Sequence, residues 1–262
     1  MNNRIYFFLS IFLTLFVFAC SKDYDANYDK SNPIDGKSGS TARMVTKGNY
    51  LYVVDNSTLK VYDISNPSNP AFLNTANVGM DIETIYPFGE HLFIGSMSGM
   101  YVYGLQNPAQ PNFISNFTHI SACDPVVANE DFAFITLHSS NQCGRWVTTN
   151  GQIDIVNIQN INSPYLVKSQ FTDTNPFGLD LKDTLLFVCH GTAGLKLYDT
   201  RLLTDPYNQS NVVVGGFQQS GFTANDVILW QDKVYVIGDN GFYQLEYNNV
   251  TGFNLISTLA IK

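Results

Sequence analysis

A short strand-like phrase returns five times along this chain, and its spacing leaves few folds open. "LYVVD" begins at 51, "LFIGS" at 92, "AFITL" at 133, "LFVCH" at 186 and "VYVIG" at 234. A second phrase follows each one: "LKVYD" at 59, "MYVYG" at 100, "IDIVN" at 153, "LKLYD" at 195 and "FYQLE" at 242. The steps from first phrase to second are 8, 8, 20, 9 and 8 residues; those from second to next first are 33, 33, 33 and 39. Self-similarity of this kind marks a repeat architecture, in which each unit buries its apolar faces only by stacking on its neighbours. The two irregular steps isolate one insertion of about twelve residues in the third copy and one of about six in the fourth.

Helical repeats reach similar periods, so the local pattern decides the class. "LYVVD" and "LKVYDI" alternate apolar and polar positions, are rich in β-branched and aromatic residues, and show no apolar face at helical spacing. Each copy has room for four short strands, in the first at 44–47, 51–55, 59–64 and 71–76. Prolines punctuate them. Proline cannot donate to a sheet ladder and disfavours helical dihedrals in the residue before it. In "LKVYDISNPSNP", Asn66-Pro67 therefore ends the third strand and Pro70 starts the fourth, outermost one, where a flanking proline is tolerated. "NPAQP" at 107–111 repeats the device, and "NSP" at 162–164 and "DP" at 205–206 are degenerate forms.

Sheets with two partly apolar faces must pack on one another, and the closed solution is a β-propeller. The expected fold is all-β: a five-bladed β-propeller of four-stranded antiparallel blades over 41–262, beginning on an innermost strand and ending on an outermost one. Closure of the ring would then rest on blade-to-blade packing alone. "LKVYDISNPSNP", "MYVYGLQNPAQP" and "IDIVNIQNINSP" resemble the LVIVD-repeat family, named for a five-residue strand followed by an SNPxxP-like turn. "LKLYD" matches the strand only, and the fifth copy departs most, lacking the proline. The resemblance implies a propeller, often on a bacterial lipoprotein or surface protein, and supplies no general activity and no catalytic residues.

The N-terminus reads as a targeting segment. Arg4 is the only charge before Lys22, and Ile5 to Ala19 is almost wholly apolar, a signal-peptide core shorter than the roughly 20 residues of a spanning helix. "VFAC" resembles the bacterial lipoprotein box, which implies cleavage after residue 19 and acylation of Cys20. Residues 20–40 are polar, acidic and contain Gly and Ser, as a flexible tether does. "CSKDYD" also resembles an acidic signal that sends some Bacteroidetes lipoproteins to the outer face of the outer membrane. The expected address is a cell-envelope lipoprotein of the outer membrane, periplasmic or surface-exposed, touching the membrane through its N-terminal lipid only.

A net charge of −8 argues against nucleic acid and against direct adsorption to anionic lipid, since both reward basic patches. No nucleotide loop, nucleophile elbow or metalloprotease helix is present, and nothing calls for a cofactor.

Candidate residues sort by position in the blade. The loop between second and third strands and the connection into the next blade share one face. The insertion "HSSNQCGRWVTTN" at 138–150 and Cys123 both belong to that face in blade three, so a Cys123–Cys143 disulfide is geometrically reasonable, and an envelope location permits it. The rival set is His119, Cys123, His138 and Cys143 as zinc ligands, although their spacing fits no standard motif. Arg145 and Trp146 are residue types favoured as interface anchors, with Trp146 covering its own blade as the alternative. Glu83 and Asp124 stand at equivalent innermost-strand starts, with Asp226 one position out of register and Arg43 on the far side; His190 ends a strand on the same face. Paired carboxylates can hydrolyse a glycoside or, with carbonyls, hold a cation; as the alternative, they are simply hydrated. Cys189 and Trp230 fall in repeat strands and are expected in the core, and "DTL" at 183–185 resembles a Bacteroidetes O-glycosylation sequon on Thr184. The sequence thus favours a binding module for a protein or glycan at the envelope, against a carbohydrate-active enzyme using channel carboxylates.

Overall fold

The computed structural model describes residues 38–118, 125–138, 151–208 and 211–261. They form five four-stranded antiparallel sheets, each built from consecutive strands in sequence order. Blade 1 holds β1 (Met44–Lys47), β2 (Tyr50–Val54), β3 (Thr58–Asp63) and β4 (Ala71–Asn77). Blade 2 holds β5 (Ile82–Phe88), β6 (His91–Ser96), β7 (Gly99–Gly104) and β8 (Asn112–Thr118). Blade 3 holds β9 (Val126–Ala128), β10 (Phe132–Leu137), β11 (Gly151–Asn157) and β12 (Tyr165–Thr172). Blade 4 holds β13 (Leu179–Lys182), β14 (Leu185–Cys189), β15 (Leu195–Asp199) and β16 (Val213–Phe217), with one helical turn, α1 (Thr200–Leu203), between its last two strands. Blade 5 holds β17 (Asp226–Trp230), β18 (Lys233–Gly238), β19 (Gly241–Asn248) and β20 (Gly252–Ala260). The strands expected in the first copy agree with β1 to β4 within two residues at every boundary. The helical turn was not expected; Asp199 caps it by accepting from the Arg201 backbone N–H.

The proline turns behave as the sequence required. Asn66 Oδ1 accepts from the Ser68 N–H and the Asn66 carbonyl from the Asn69 N–H; Asn107 and Asn160 make the same carbonyl contact, with Gln110 and Ser163. A bulge then recurs where the third strand meets the fourth, at Val61/Tyr62, Val102/Tyr103, Ile155/Val156, Leu197/Tyr198 and Gln244/Leu245. A bulge raises local twist, and placing it on the same rung of every blade gives all five outer strands one common twist.

Register converts the repeat into two faces per blade. The column Tyr52, Phe93, Phe134, Phe187, Tyr235 points forward, toward the next blade; Val53, Ile94, Ile135, Val188, Val236 points back. Apolar clusters fill the four consecutive interfaces, for example Tyr52, Val54, Leu59 and Val61 against Ile85, Leu92 and Ile94 between blades 1 and 2. Blades 2 and 3, 3 and 4, and 4 and 5 pack likewise. Burying one such phenylalanine is worth about 1.5–3 kcal/mol, so the aromatic column is a main contributor to the stack.

The seam between blades 5 and 1 differs. No apolar cluster among the described residues spans it. The second strands of blades 2 to 4 are buried on both faces, whereas β2 and β18 alternate buried and part-exposed positions. What joins the two ends of the series is polar: the turn at 39–42 reaches β17 through Ser40 and Thr41, which donate to Asp226. Ring closure by blade packing alone is therefore corrected.

Candidate functional site

The face expected to carry function is confirmed as one surface by its backbone bonds. In blade 1, Ser57 and Asn56 of the β2–β3 loop accept from Val78 and Ile82 of the connection into blade 2. In blade 4, Gly191 after β14 bridges Ala224 on the way into blade 5. Loops and connections thus hold one another on this face, a rigid base for binding residues.

On it, blade 4 carries a buried imidazole. His190 lies 2.9 Å from Thr174 Oγ1 through Nδ1 and 2.9 Å from the Tyr198 hydroxyl through Nε2. A neutral ring satisfies both: Nδ1–H donates to Thr174, and Nε2 accepts from Tyr198 O–H. Burial, then the nearby Lys196, pushes the pKa of His190 down to about 4. Burial also raises that of Tyr198, which keeps its proton. The arrangement pins the 172–178 connection to blade 4 and presents no free base.

Asp226 sits where the sequence placed it, at the start of an innermost strand, but it is not a solvated channel carboxylate. It accepts from Thr41 Oγ1 at 2.6 Å, Ser40 Oγ at 3.3 Å and its neighbour Val227 N–H at 3.0 Å. Burial holds its pKa above the usual carboxylate range despite these bonds. Ser40 Oγ in turn accepts from the Leu179 N–H, so one turn ties blades 4 and 5 together. Cys189, expected in the core, is fully buried nearby, and burial raises its thiol pKa.

The insertion of blade three leaves and rejoins the scaffold between His138 and Gly151. The His138 ring lies 4.6 Å from that of Phe177, and Thr136 Oγ1 donates to the Phe177 carbonyl at 2.6 Å. A Cβ on Gly151 would stand 2.2 Å from Pro176 Cδ. Both roots of the insertion therefore abut the entry into blade 4. His138 Nδ1 is buried with no partner among the described residues, and burial lowers its pKa. Glu83 is half-buried in β5, at the irregular step between Ile82 and Thr84. Cys20, His119, Cys123, Asp124, Cys143, Arg145 and Trp146 lie outside the described residues, as do the disulfide, zinc and Glu83–Asp124 pairings that need them.

Trp230 corrects an expectation. It lies at the end of β17 and is 40% exposed, not in the core. With Ile228, Tyr235 and Phe242 it lines an open apolar hollow of about 360 Å³ on the forward face of blade 5. The rings of Tyr235 and Phe242 stack at 5.7 Å. The sequence signal for this surface was present in the aromatic column, whose fifth member, Tyr235, no described blade covers.

Comparison with known proteins agrees with this architecture. The LVIVD repeat profile matches residues 38–78, which span blade 1. The Cps50 (Swd1) β-propeller domain of Myceliophteria thermophila superposes with a TM-score of 0.59 at 12% identity, covering 88% of this chain and 74% of that one. The chain is a β-propeller whose first blade carries an LVIVD repeat. The periplasmic gluconolactonase PpgL of Pseudomonas aeruginosa is similar at a TM-score of 0.58 and 14% identity, covering 81% of this propeller and 66% of that chain. The computationally designed Ika8 protein follows at 0.56 and 12%, with 82% and 60% covered, so this propeller spans less than two thirds of its length. Among curated proteins, none matches. At these identities the likeness is one of fold.

Proposed function

We propose that this propeller is a lipid-anchored binding module of the cell envelope. Acylated Cys20 would hold it at the outer membrane on the 20–40 tether, with the loop face around blade three turned to a protein or glycan. The observation that carries this reading is the footing of the 139–150 insertion: His138 against Phe177 and Gly151 against Pro176 seat both its ends on a hydrogen-bonded face. That insertion bears Arg145 and Trp146, residue types that anchor interfaces, and rigid scaffolds commonly present binding residues on such loops. The glycoside-hydrolase alternative rests on Glu83 with Asp124, which lies outside the described residues, and no observation favours it.

Two measurements test the parts separately. Labelled palmitate should enter the wild-type protein and not the Cys20→Ser variant, which should leave the membrane fraction. Partners captured by cross-linking on intact cells should bind the Arg145→Ala/Trp146→Ala double variant at least tenfold more weakly. Unchanged affinity for every captured partner would remove the insertion from the binding site.

A further inference from the structure

Blades 1 and 5 each leave uncovered the face that every other blade buries. In the backward column, Ile85, Val126, Leu179 and Val227 are 0% exposed, each under the preceding blade; Met44, the same register position in blade 1, is 59% exposed. In the forward column, Val54, Thr136 and Cys189 are 0–3% exposed, and their equivalent Ile237 in blade 5 is 45% exposed. Tyr235 and Phe242 replace buried Phe187 and Leu195 of blade 4 and stand in the open hollow. An uncovered apolar face rimmed by polar residues marks an interaction site.

The repeat identifies what fits it. At each of the four internal interfaces, a forward face carrying an aromatic second-strand residue receives a backward face whose own second-strand residues are aliphatic, Leu92 and Ile94, Ala133 and Ile135, Leu186 and Val188, or Val234 and Val236. The free forward face of blade 5 is therefore shaped for a backward blade face, and this chain carries one that is free, on blade 1, with Met44, Leu51 and Val53. Among the described residues these two faces are not packed together, so the complementary surface is available from another copy. We propose that two copies associate head to tail, blade 5 of each stacking on blade 1 of the other, so that the same contact forms twice about a two-fold axis.

Magnitude favours the doubled contact. Four strands of about five residues make a sheet face roughly 19 Å by 17 Å, about 320 Å² before side-chain relief. One such contact falls short of the roughly 800 Å² per partner of a standard interface, while two approach it. This association is independent of the partner bound at blade three.

Sedimentation of the full chain in detergent, at micromolar concentration, tests it. Wild type should sediment at twice the chain mass, while Trp230→Asp and Met44→Asp should each sediment as single chains. Both side chains are exposed in the single chain, so the variants should keep the wild-type circular dichroism; Ile237→Lys provides a second forward-face variant. An equimolar mixture of Trp230→Asp and Met44→Asp retains one intact forward and one intact backward face. It should form a one-to-one pair, at least tenfold weaker than wild type. Single wild-type chains at all concentrations, or a mixture that does not pair, would overturn the proposal. So would dissociation by only one of the two variants, which would mean like faces in contact, or longer stacks in place of a pair.

Discussion

Thr41 donates its hydroxyl to Asp226 across 2.6 Å, joining the turn before the first strand to the start of the last blade. The bond matters because the seam it crosses has no apolar cluster among the described residues. Asp226→Ala leaves the Ser40 and Thr41 hydroxyls without their acceptor; Ser40 is buried, and an orphaned buried donor costs about 1–3 kcal/mol, whereas exposed Thr41 can turn to water. Urea unfolding should therefore show a loss of at least about 1 kcal/mol. Asp226→Asn should behave differently with pH. Burial raises the folded-state pKa of Asp226 above the usual value, so its contribution is full below the unfolded carboxyl pKa of about 4 and declines as pH rises through the folded value. The stability of wild type relative to Asp226→Asn should thus be greater at pH 4 than at pH 7.

The same carboxylate sits in a cradle made by two glycines. A Cβ on Gly178 would lie 2.0 Å from Asp226 Oδ1, and one on Gly39 2.0 Å from Oδ2. Gly178→Ala must push Asp226 away from Ser40 and Thr41, and overpacking of this kind costs about 1–3 kcal/mol. Thermal unfolding should register it. In an Asp226→Ala background the penalty should shrink, because the atoms that the new methyl meets are gone, and a double-mutant cycle reads that coupling directly.

His190 gives the fold an acid limit. Its pKa falls from an ordinary 6.5 to about 4 in the folded protein, so the neutral ring contributes stability that is complete above about pH 6.5 and is lost as pH drops toward the folded value. At about 1.4 kcal/mol per pH unit, roughly 3 kcal/mol disappears by pH 4. The denaturation midpoint of wild type should fall across this window, with a smaller fall in His190→Gln. The imidazole proton shifts of His190 should stay unchanged from pH 7 to pH 5. Tyr198→Phe, which strips the donor 2.9 Å from Nε2, should cost about 1–3 kcal/mol.

Much of this molecule is legible in its sequence, because a repeat writes each inference several times. The 8-residue steps set the hairpins, the Asn-Pro turns set the third-to-fourth-strand connection, and alternation gave two faces per blade. Sharing of one face by loops and connections followed, as the Val78–Ser57 and Gly191–Ala224 bonds confirm. Trp230 marks the limit: periodicity says which face is apolar, not whether another blade covers it. Asp226 marks a second, since the residues that engage it, Ser40 and Thr41, precede the repeat columns and carry no periodic signal. The helical turn at 200–203 falls in the six-residue insertion, where no column constrains the chain.

Hairpin turns between first and second strands supply a test of that column logic. Gly48 and Gly89 occupy the first turn position of blades 1 and 2 with φ of +56° and +52°. Asp183 and Gln231 hold the same position in blades 4 and 5 with φ of +54° and +53°, each in a turn of two residues between paired strand ends, Lys182 with Leu185 and Trp230 with Lys233. Two-residue hairpin turns of this hand demand positive φ, which costs a non-glycine L-residue about 1–2 kcal/mol. Glycine relieves that strain but gives back about 0.5–1 kcal/mol through the freer unfolded chain. Gln231 makes no side-chain bond among those described, so Gln231→Gly should raise stability by up to about 1 kcal/mol, read as an upward shift in the thermal midpoint. Gln231→Val should lower it, since a β-branched residue fits positive φ worst, and the order Gly above Gln above Val at this one position is the result that a strained turn requires.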